Sequence, residues 1–211
     1  MPKIEQARAW YADADPVHAF DHILRVYALA ERLGAVEGAD MEILRAAVLL
    51  HDAQGSAPNH ASRLEHHLVS AEFAAEVLAA EGWLPERIRA VQHCIRGHRF
   101  RGTGEAPQSV EARVLFDADK LDVLGAIGAA RVIAYAALRN NPLYAQPSPR
   151  FLTTGEKEPG ELHSAYHEYL FKLCKIKDKL FTPTARQIAE ERDAYLREFF
   201  ERLGEEIEGK R

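Results

Sequence analysis

Three short segments carry side chains with the types and spacing needed for metal chemistry. In Ala46-Ala47-Val48-Leu49-Leu50-His51-Asp52 an apolar stretch ends in an imidazole next to a carboxylate. Leu44, Ala47, Val48 and His51 follow at i, i+3, i+4 and i+7, so a helix there turns His51 toward the core. A carboxylate at the C-terminal end of that helix opposes the macrodipole, a cost of ~0.3–1 kcal/mol that a nearby cation offsets. In His18-Ala19-Phe20-Asp21-His22 two histidines stand one helical turn apart. In Asp117-Ala118-Asp119-Lys120-Leu121-Asp122 three acids interrupt a run otherwise suited to burial, where an ionised carboxylate must be paired, hydrogen-bonded or bound to a metal. Each segment also has a plain reading: a helix-end histidine with a solvated aspartate, a surface histidine pair, and an intrahelical network of the acids with Lys120 and Arg113.

The elements that must position these residues read as helices from one end to the other. No segment alternates apolar and polar residues between hairpin signals, so the expected fold class is all-α. Asp15-Pro16 is a start signal, and Ile23, Val26, Tyr27, Ala30 and Leu33 form the stripe behind it, with Gly34 as the expected stop. Asp40 caps the next helix. A third runs from about Arg63 to Ala80, with Leu64, His67, Leu68, Ala71, Ala75 and Leu78 on its buried stripe, His66 beside it and Gly82 after its end. Pro85 opens a further helix, followed by a basic loop from Gly97 to Pro107 that holds His98, Arg99 and Arg101. Val110 to Arg139 suits a buried helix broken near Leu124-Gly125. Residues 140–160, proline-bearing and aperiodic, suit a loop or lid. Leu162 to Leu180, and Thr182-Pro183 to Leu203, suit two C-terminal helices, the second burying Ile188, Tyr195, Leu196, Phe199, Phe200 and Leu203.

Composition narrows the function classes. The chain has 211 residues, 47% hydrophobic and 28% charged, enough for one domain with a real core, its centre at about residues 15–135 and the C-terminal helices packed on it. The net charge of -5 argues against bulk nucleic-acid binding. The N-terminal residues lack an apolar run, and no later stretch is apolar enough for a membrane span, so a cytoplasmic location is expected. Cys94 and Cys174 read as packed thiols. Ten histidines against two cysteines point to an imidazole and carboxylate centre, which suits a hydrolytic divalent or iron site, whereas thiolate suits structural zinc.

Taken together, His22, His51-Asp52 and Asp119 follow in the order H…HD…D, which resembles the HD-domain superfamily of metal-dependent phosphohydrolases. The likeness extends through His22-Ile23-Leu24-Arg25-Val26, Ser70-Ala71, His98-Arg99-Phe100-Arg101 and Asp117 to Ala126, and is similar to a branch of bacterial and archaeal HD hydrolases. It implies a helical bundle with one divalent metal held by His22, His51, Asp52 and Asp119, a mixed imidazole and carboxylate set that suits manganese, iron or magnesium better than zinc. Branches with two metals add histidines at positions that match His66 and His98. This sequence has His98-Arg99-Phe100 where the two-metal cyclic-dinucleotide phosphodiesterases show His-His-Glu, which leaves the second metal open. The expected reaction is hydrolysis of a nucleotide or other small phosphorylated metabolite by metal-activated water. Asp52 would orient the water, His66 or His98 would carry the proton, and Arg25, Lys120, Arg99 and His18 would meet the phosphate. A phosphodiesterase acting on a cyclic or linear nucleotide, and a non-catalytic nucleotide-binding regulatory module, are the alternatives. A homodimer is left open. His60, His67, His93, His163 and His167 read as core or surface histidines.

Overall fold

The computed structural model describes residues 1–12, 19–54, 62–100 and 104–211, with no side-chain detail at 62–64. Among the described residues there are ten α-helices, three short 3-10 turns and no strand, as expected for an all-α chain. They divide into two compact units: residues 1–119 with 181–185, and residues 120–180 with 186–211.

In the first unit, α1 (Ile4–Arg8) runs into a 3-10 turn at Ala9–Tyr11, followed by α2 (Phe20–Glu37), α3 (Met41–Leu50), α4 (Ser62–Ala80), α5 (Pro85–Gly97) and α6 (Val110–Leu121). Helix α3 is central and packs on α1, α2, α4 and α5. Leu44 and the whole run Ala46 to Leu50 are buried, which explains why this helix is apolar on all sides of its second half. Asp40 caps it as expected, accepting from the backbone N–H groups of Glu42 at 3.0 Å and Ile43 at 3.2 Å.

Several boundaries differ from the sequence-based expectation. Helix α2 begins at Phe20, with Ala19 as its cap, rather than at Asp15-Pro16, which lie outside the described residues. It also runs past Gly34 to Glu37 and ends on Gly38, at φ 75°. Gly34 serves a different purpose: a Cβ there would lie 2.5 Å from Leu44 Cδ2, so its missing side chain lets α2 approach α3. On α4 the buried line passes through Ser70, Ala71, Ala74 and Leu78, leaving Leu68 and Val69 exposed. His98 is no loop residue; it caps the end of α5 and is buried.

Asp117 closes the first unit. Its carboxylate accepts from the backbone N–H of Phe181 at 2.9 Å and of Thr182 at 2.7 Å, and from the Thr182 hydroxyl at 2.7 Å. It thereby holds residues 181–185, including the start of α10 (Pro183–Ile207), against α6.

In the second unit the expected break appears as α7 (Gly125–Leu138), which starts on Gly125 at φ 67°. The buried Asp122 is paired with Arg131 Nη1 at 2.7 Å, and Arg192 Nη1 donates to the Leu121 carbonyl at 2.7 Å. Residues 140–160 hold a short helix, α8 (Pro149–Thr154), capped by Ser148. Glu161 pins this segment by accepting from Ser148 N, Ser148 Oγ and Glu158 N, each at 2.7 Å, and facing His167 Nε2 at 3.0 Å. The Ser148 N–H first, then these other donors, outweigh the small cost of burial and bring its carboxyl down to about 2. The expected helix at 162–180 is instead α9 (Ala165–Phe171) and two 3-10 turns, Leu173–Lys175 and Lys177–Lys179. On α10 the buried residues include Ala185, Ala189, Asp193, Leu196 and Phe200, while Tyr195 is exposed. Among the described residues no single helix is long and apolar enough to cross a membrane.

Candidate metal centre

Five elements of the first unit bring histidines and aspartates together. His22 lies in the first turn of α2, His51 caps α3 and Asp52 follows it, His66 lies near the start of α4, His98 caps α5, and Asp119 is near the end of α6. His22, His51 and Asp119 offer ligand atoms all within 4.8 Å of one another, and Asp52, His66 and His98 do the same. The two groups adjoin: His51 Nε2 is 3.7 Å from Asp52 Oδ2, and the His51 and His98 ring centroids are 5.1 Å apart. His22 Nε2 lies 3.5 Å from Asp119 Oδ1.

Local structure sets the state of each ring. His51 Nδ1 donates to the Val48 carbonyl at 2.8 Å, and His98 Nδ1 to the Ile95 carbonyl at 2.5 Å. Both bonds satisfy a carbonyl left open by the end of a helix, and both leave Nε2 with a lone pair facing the cluster. Buried His51 Nε2 has no hydrogen-bond partner. A buried lone pair aimed at carboxylate oxygens is unfavourable unless a cation stands between them, and two helix C-termini meet here with their negative ends. The donor set therefore fits a divalent ion.

Burial first, and then the neighbouring His98 and His22, bring the His51 imidazole down to about 4 against the opposing pull of Asp52 and Asp119, so it is neutral and able to coordinate. Burial pushes the Asp52 carboxyl up, but the adjacent imidazoles of His51, His66 and His98 outweigh it and hold the group well below the usual carboxylate range, while Asp52 Oδ1, like His51 Nε2, is buried without a hydrogen-bond partner. His22 and His51 are sealed at 2% and 0% exposure, whereas Asp119 and Asp52 keep 16% and 20%, so the centre is reached from the carboxylate side.

The other site residues expected from sequence are placed less uniformly. Arg99 Nη1 lies 3.0 Å from His66 Nδ1. Arg25 Nη1 is paired with Asp21 at 2.6 Å, one turn back on α2. Lys120 follows Asp119 on α6 and begins the second unit. His18 and Arg101 lie outside the described residues, as does His60. Asp117 and Asp122, the two acids that flank Asp119, are committed to Thr182 and Arg131.

Sequence reasoning passed over three supports. Tyr11 Oη donates to the Leu49 carbonyl at 3.0 Å and so braces the last turn of α3 just before His51. Ser70 Oγ both accepts from Gln54 N and donates to Gln54 O, each at 3.0 Å, tying the chain after Asp52 to α4. The His67 ring lies 5.8 Å from His66 and 6.5 Å from His98, and burial, with His98 next, brings it to about 4. Neither Tyr11 nor Ser70 carries chemistry of its own; Ser70 was marked only by its place in the Ser70-Ala71 pair of the family likeness.

The family model for the HD domain matches residues 19–124, the stretch from the cap of α2 to the end of the Asp119 segment. The chain belongs to the HD domain family. It is 32% identical to the protein YpgQ of Bacillus subtilis strain 168 over 216 residues, 99% of this chain and 96% of that protein. The crystal structure of YpgQ in complex with ADP superposes with a TM-score of 0.74 at 30% identity, covering 97% of this chain and 98% of the other. A structure of an HD-superfamily hydrolase from Bacillus thuringiensis superposes with a TM-score of 0.72 at 27% identity, covering 97% and 94%. This HD domain is accordingly that of an HD-superfamily hydrolase.

Proposed function

We propose that this chain is a metal-dependent phosphohydrolase acting on a nucleotide. The observation that carries the reading is His51 Nε2, a buried lone pair with no partner at the meeting point of His22, Asp52 and Asp119. In the proposal these four hold a divalent ion, manganese, iron or magnesium by the mixture of imidazole and carboxylate. Such an ion supplies positive charge to phosphate oxygens and a water acidic enough to react near neutral pH.

The protein's own residues do the rest. Asp52 and Asp119 neutralise the ion and, being the open side of the site, orient the water. His66, with its Nε2 3.1 Å from Asp52 Oδ1, and His98, 3.5 Å from the same oxygen, stand where a proton must be held or passed. Arg25 and Lys120 are assigned to phosphate oxygens, Arg25 by exchanging Asp21 for substrate, and His18 is assigned there from sequence alone. The choice of a nucleotide is supported by the ADP found with YpgQ.

The test is a panel of nucleoside mono-, di- and triphosphates and cyclic nucleotides with purified protein, with and without manganese. Release of orthophosphate or pyrophosphate is the expected result. A linear mononucleotide from a cyclic one would instead make it a phosphodiesterase. His51→Ala and Asp52→Ala should each lose at least ~100-fold in rate, the order seen when one ion-holding or charge-stabilising group is removed. Near wild-type rate in either variant would overturn the assignment.

A further inference from the structure

The basic loop that follows α5 is fastened at its neck, with one carboxylate at the centre of the fastening. Gly97, the last residue of α5, meets the buried Pro107: a Cβ on Gly97 would lie 3.3 Å from Pro107 Cα. Arg113 Nε donates to the Pro107 carbonyl at 3.3 Å, and the Gln108 N–H donates to His93 Nε2 at 3.1 Å. Glu105 adds a further tie. Its Oε2 accepts from Arg96 Nε at 2.5 Å, while its Oε1 faces His93 Nδ1 at 2.5 Å and Arg96 Nη2 at 3.4 Å. Burial pushes the Glu105 carboxyl up, but Arg96 and then His93 outweigh it and bring it below its ordinary value. An isolated surface pair contributes little, whereas a forked guanidinium and an imidazole on one carboxylate form a network of fixed geometry.

Loops whose ends meet and are packed by their own side chains frequently carry function. The described start of this one is His98, Arg99 and Phe100, and the Phe100 N–H donates to the Gly97 carbonyl at 3.1 Å. The neck that Glu105 closes is therefore the point from which Arg99 departs. Arg99 Nη1 lies 3.0 Å from His66 Nδ1, and His66 Nε2 lies 3.1 Å from Asp52 Oδ1, so the guanidinium stands one ring away from the open side of the centre. We propose that Glu105 is a positioning residue: by clasping His93 and Arg96 it closes the neck of loop 97–107 and holds the Arg99 guanidinium where it receives a phosphate group of the nucleotide. This deepens the nucleotide reading, on which it rests, and it gives a purpose to His93, Arg96 and Glu105, three groups that take no part in the chemistry of the centre.

A double-mutant cycle on the binding of α,β-methylene-ADP, whose anhydride position resists hydrolysis, tests this by calorimetry in the presence of manganese. Arg99→Ala should weaken binding by about tenfold, the effect of losing one charge-assisted hydrogen bond. Glu105→Ala should weaken it several-fold in the wild-type chain and add nothing in the Arg99→Ala chain, because its effect passes through Arg99. Glu105→Gln, which keeps the shape and loses the charge, should give a smaller loss of the same kind, and it replaces Glu105→Ala in the cycle if that variant does not fold. Hydrogen exchange at the Phe100 N–H should quicken in either variant. Equal weakening by the Glu105 substitution in both backgrounds, which a merely structural role would produce, overturns the proposal. So does unchanged affinity in Arg99→Ala or in the Glu105 variants, unchanged exchange at Phe100, or a wild-type chain that does not bind the analogue. No turnover on the nucleotide panel together with the expected cycle would sink the hydrolase reading and leave the clasp standing, whereas turnover with an additive cycle would do the reverse.

Discussion

Asp117 and Asp119 are two residues apart in one helix, yet one is assigned to architecture and the other to chemistry, and a substitution at Asp117 separates the roles. Asp117 is fully buried and accepts three hydrogen bonds, from Phe181 N, Thr182 N and Thr182 Oγ. A hydrogen bond to a charged group contributes ~1.5–3 kcal/mol net, and a donor left buried without a partner costs a further ~1–3 kcal/mol. The three bonds share one carboxylate and are not independent, so a loss slightly under the lower end of their sum, ~4 kcal/mol, is expected for Asp117→Ala. Thr182 is only 5% exposed, which keeps water from replacing the lost acceptor. For a chain of this size ~4 kcal/mol corresponds to a fall of about 8–16 °C in Tm. Asp117→Asn, which keeps one acceptor oxygen, should fall between. Thermal and urea unfolding of the metal-free proteins measure both. An Asp117→Ala protein within ~1 kcal/mol of wild type would refute the view that this carboxylate anchors residues 181–185.

Three further outcomes follow from the supports around the centre. Tyr11→Phe removes the donor to the Leu49 carbonyl and should cost ~1 kcal/mol in urea unfolding, with weaker manganese binding as the last turn of α3 loosens; unchanged affinity would show that the brace does not reach His51. Ser70→Ala unties both backbone groups of Gln54 and should speed hydrogen exchange at Gln54 N–H in the metal-free protein, read by NMR. Acid should destabilise the metal-free protein through His51. Its proton is bound more readily in the unfolded chain, near 6.5, than in the folded one, near about 4, so stability present above 6.5 is lost as the pH falls to about 4 and not further below. This is worth ~3 kcal/mol, and His51→Gln should flatten that part of the pH profile.

The histidines and aspartates that converge were legible in the sequence because their chemistry is restrictive. A carboxylate in an apolar run demands an explanation, and the three acids of α6 and the turn after it realise two of the outcomes open to such groups: Asp117 takes backbone and hydroxyl donors, Asp122 takes Arg131, and Asp119 faces His22. Which acid met which fate was not legible, since Thr182 and Arg131 approach from distant parts of the chain or through the turn at Gly125. The glycines of α2 show the same limit. Gly34 and Gly38 are one turn apart, and only the approach of Leu44 tells the packing glycine from the terminating one. Residues 173–180 show another: Leu173, Ile176 and Leu180 are all buried at spacings of three and four, which fit 3-10 turns as well as an α-helix over so short a span. The tautomers of His51 and His98 depend on carbonyls that no motif marks.

The first unit is assembled from two pieces of chain, residues 1–119 and 181–185, with some sixty residues between them. During synthesis the acceptor carboxylate of Asp117 emerges long before the donors that satisfy it, and it waits next to Asp119 until Phe181 and Thr182 leave the ribosome. A fragment cut at the edge of the family match, near residue 124, would therefore carry every nominated ion-holding residue and still lack the strap that secures the helix presenting one of them.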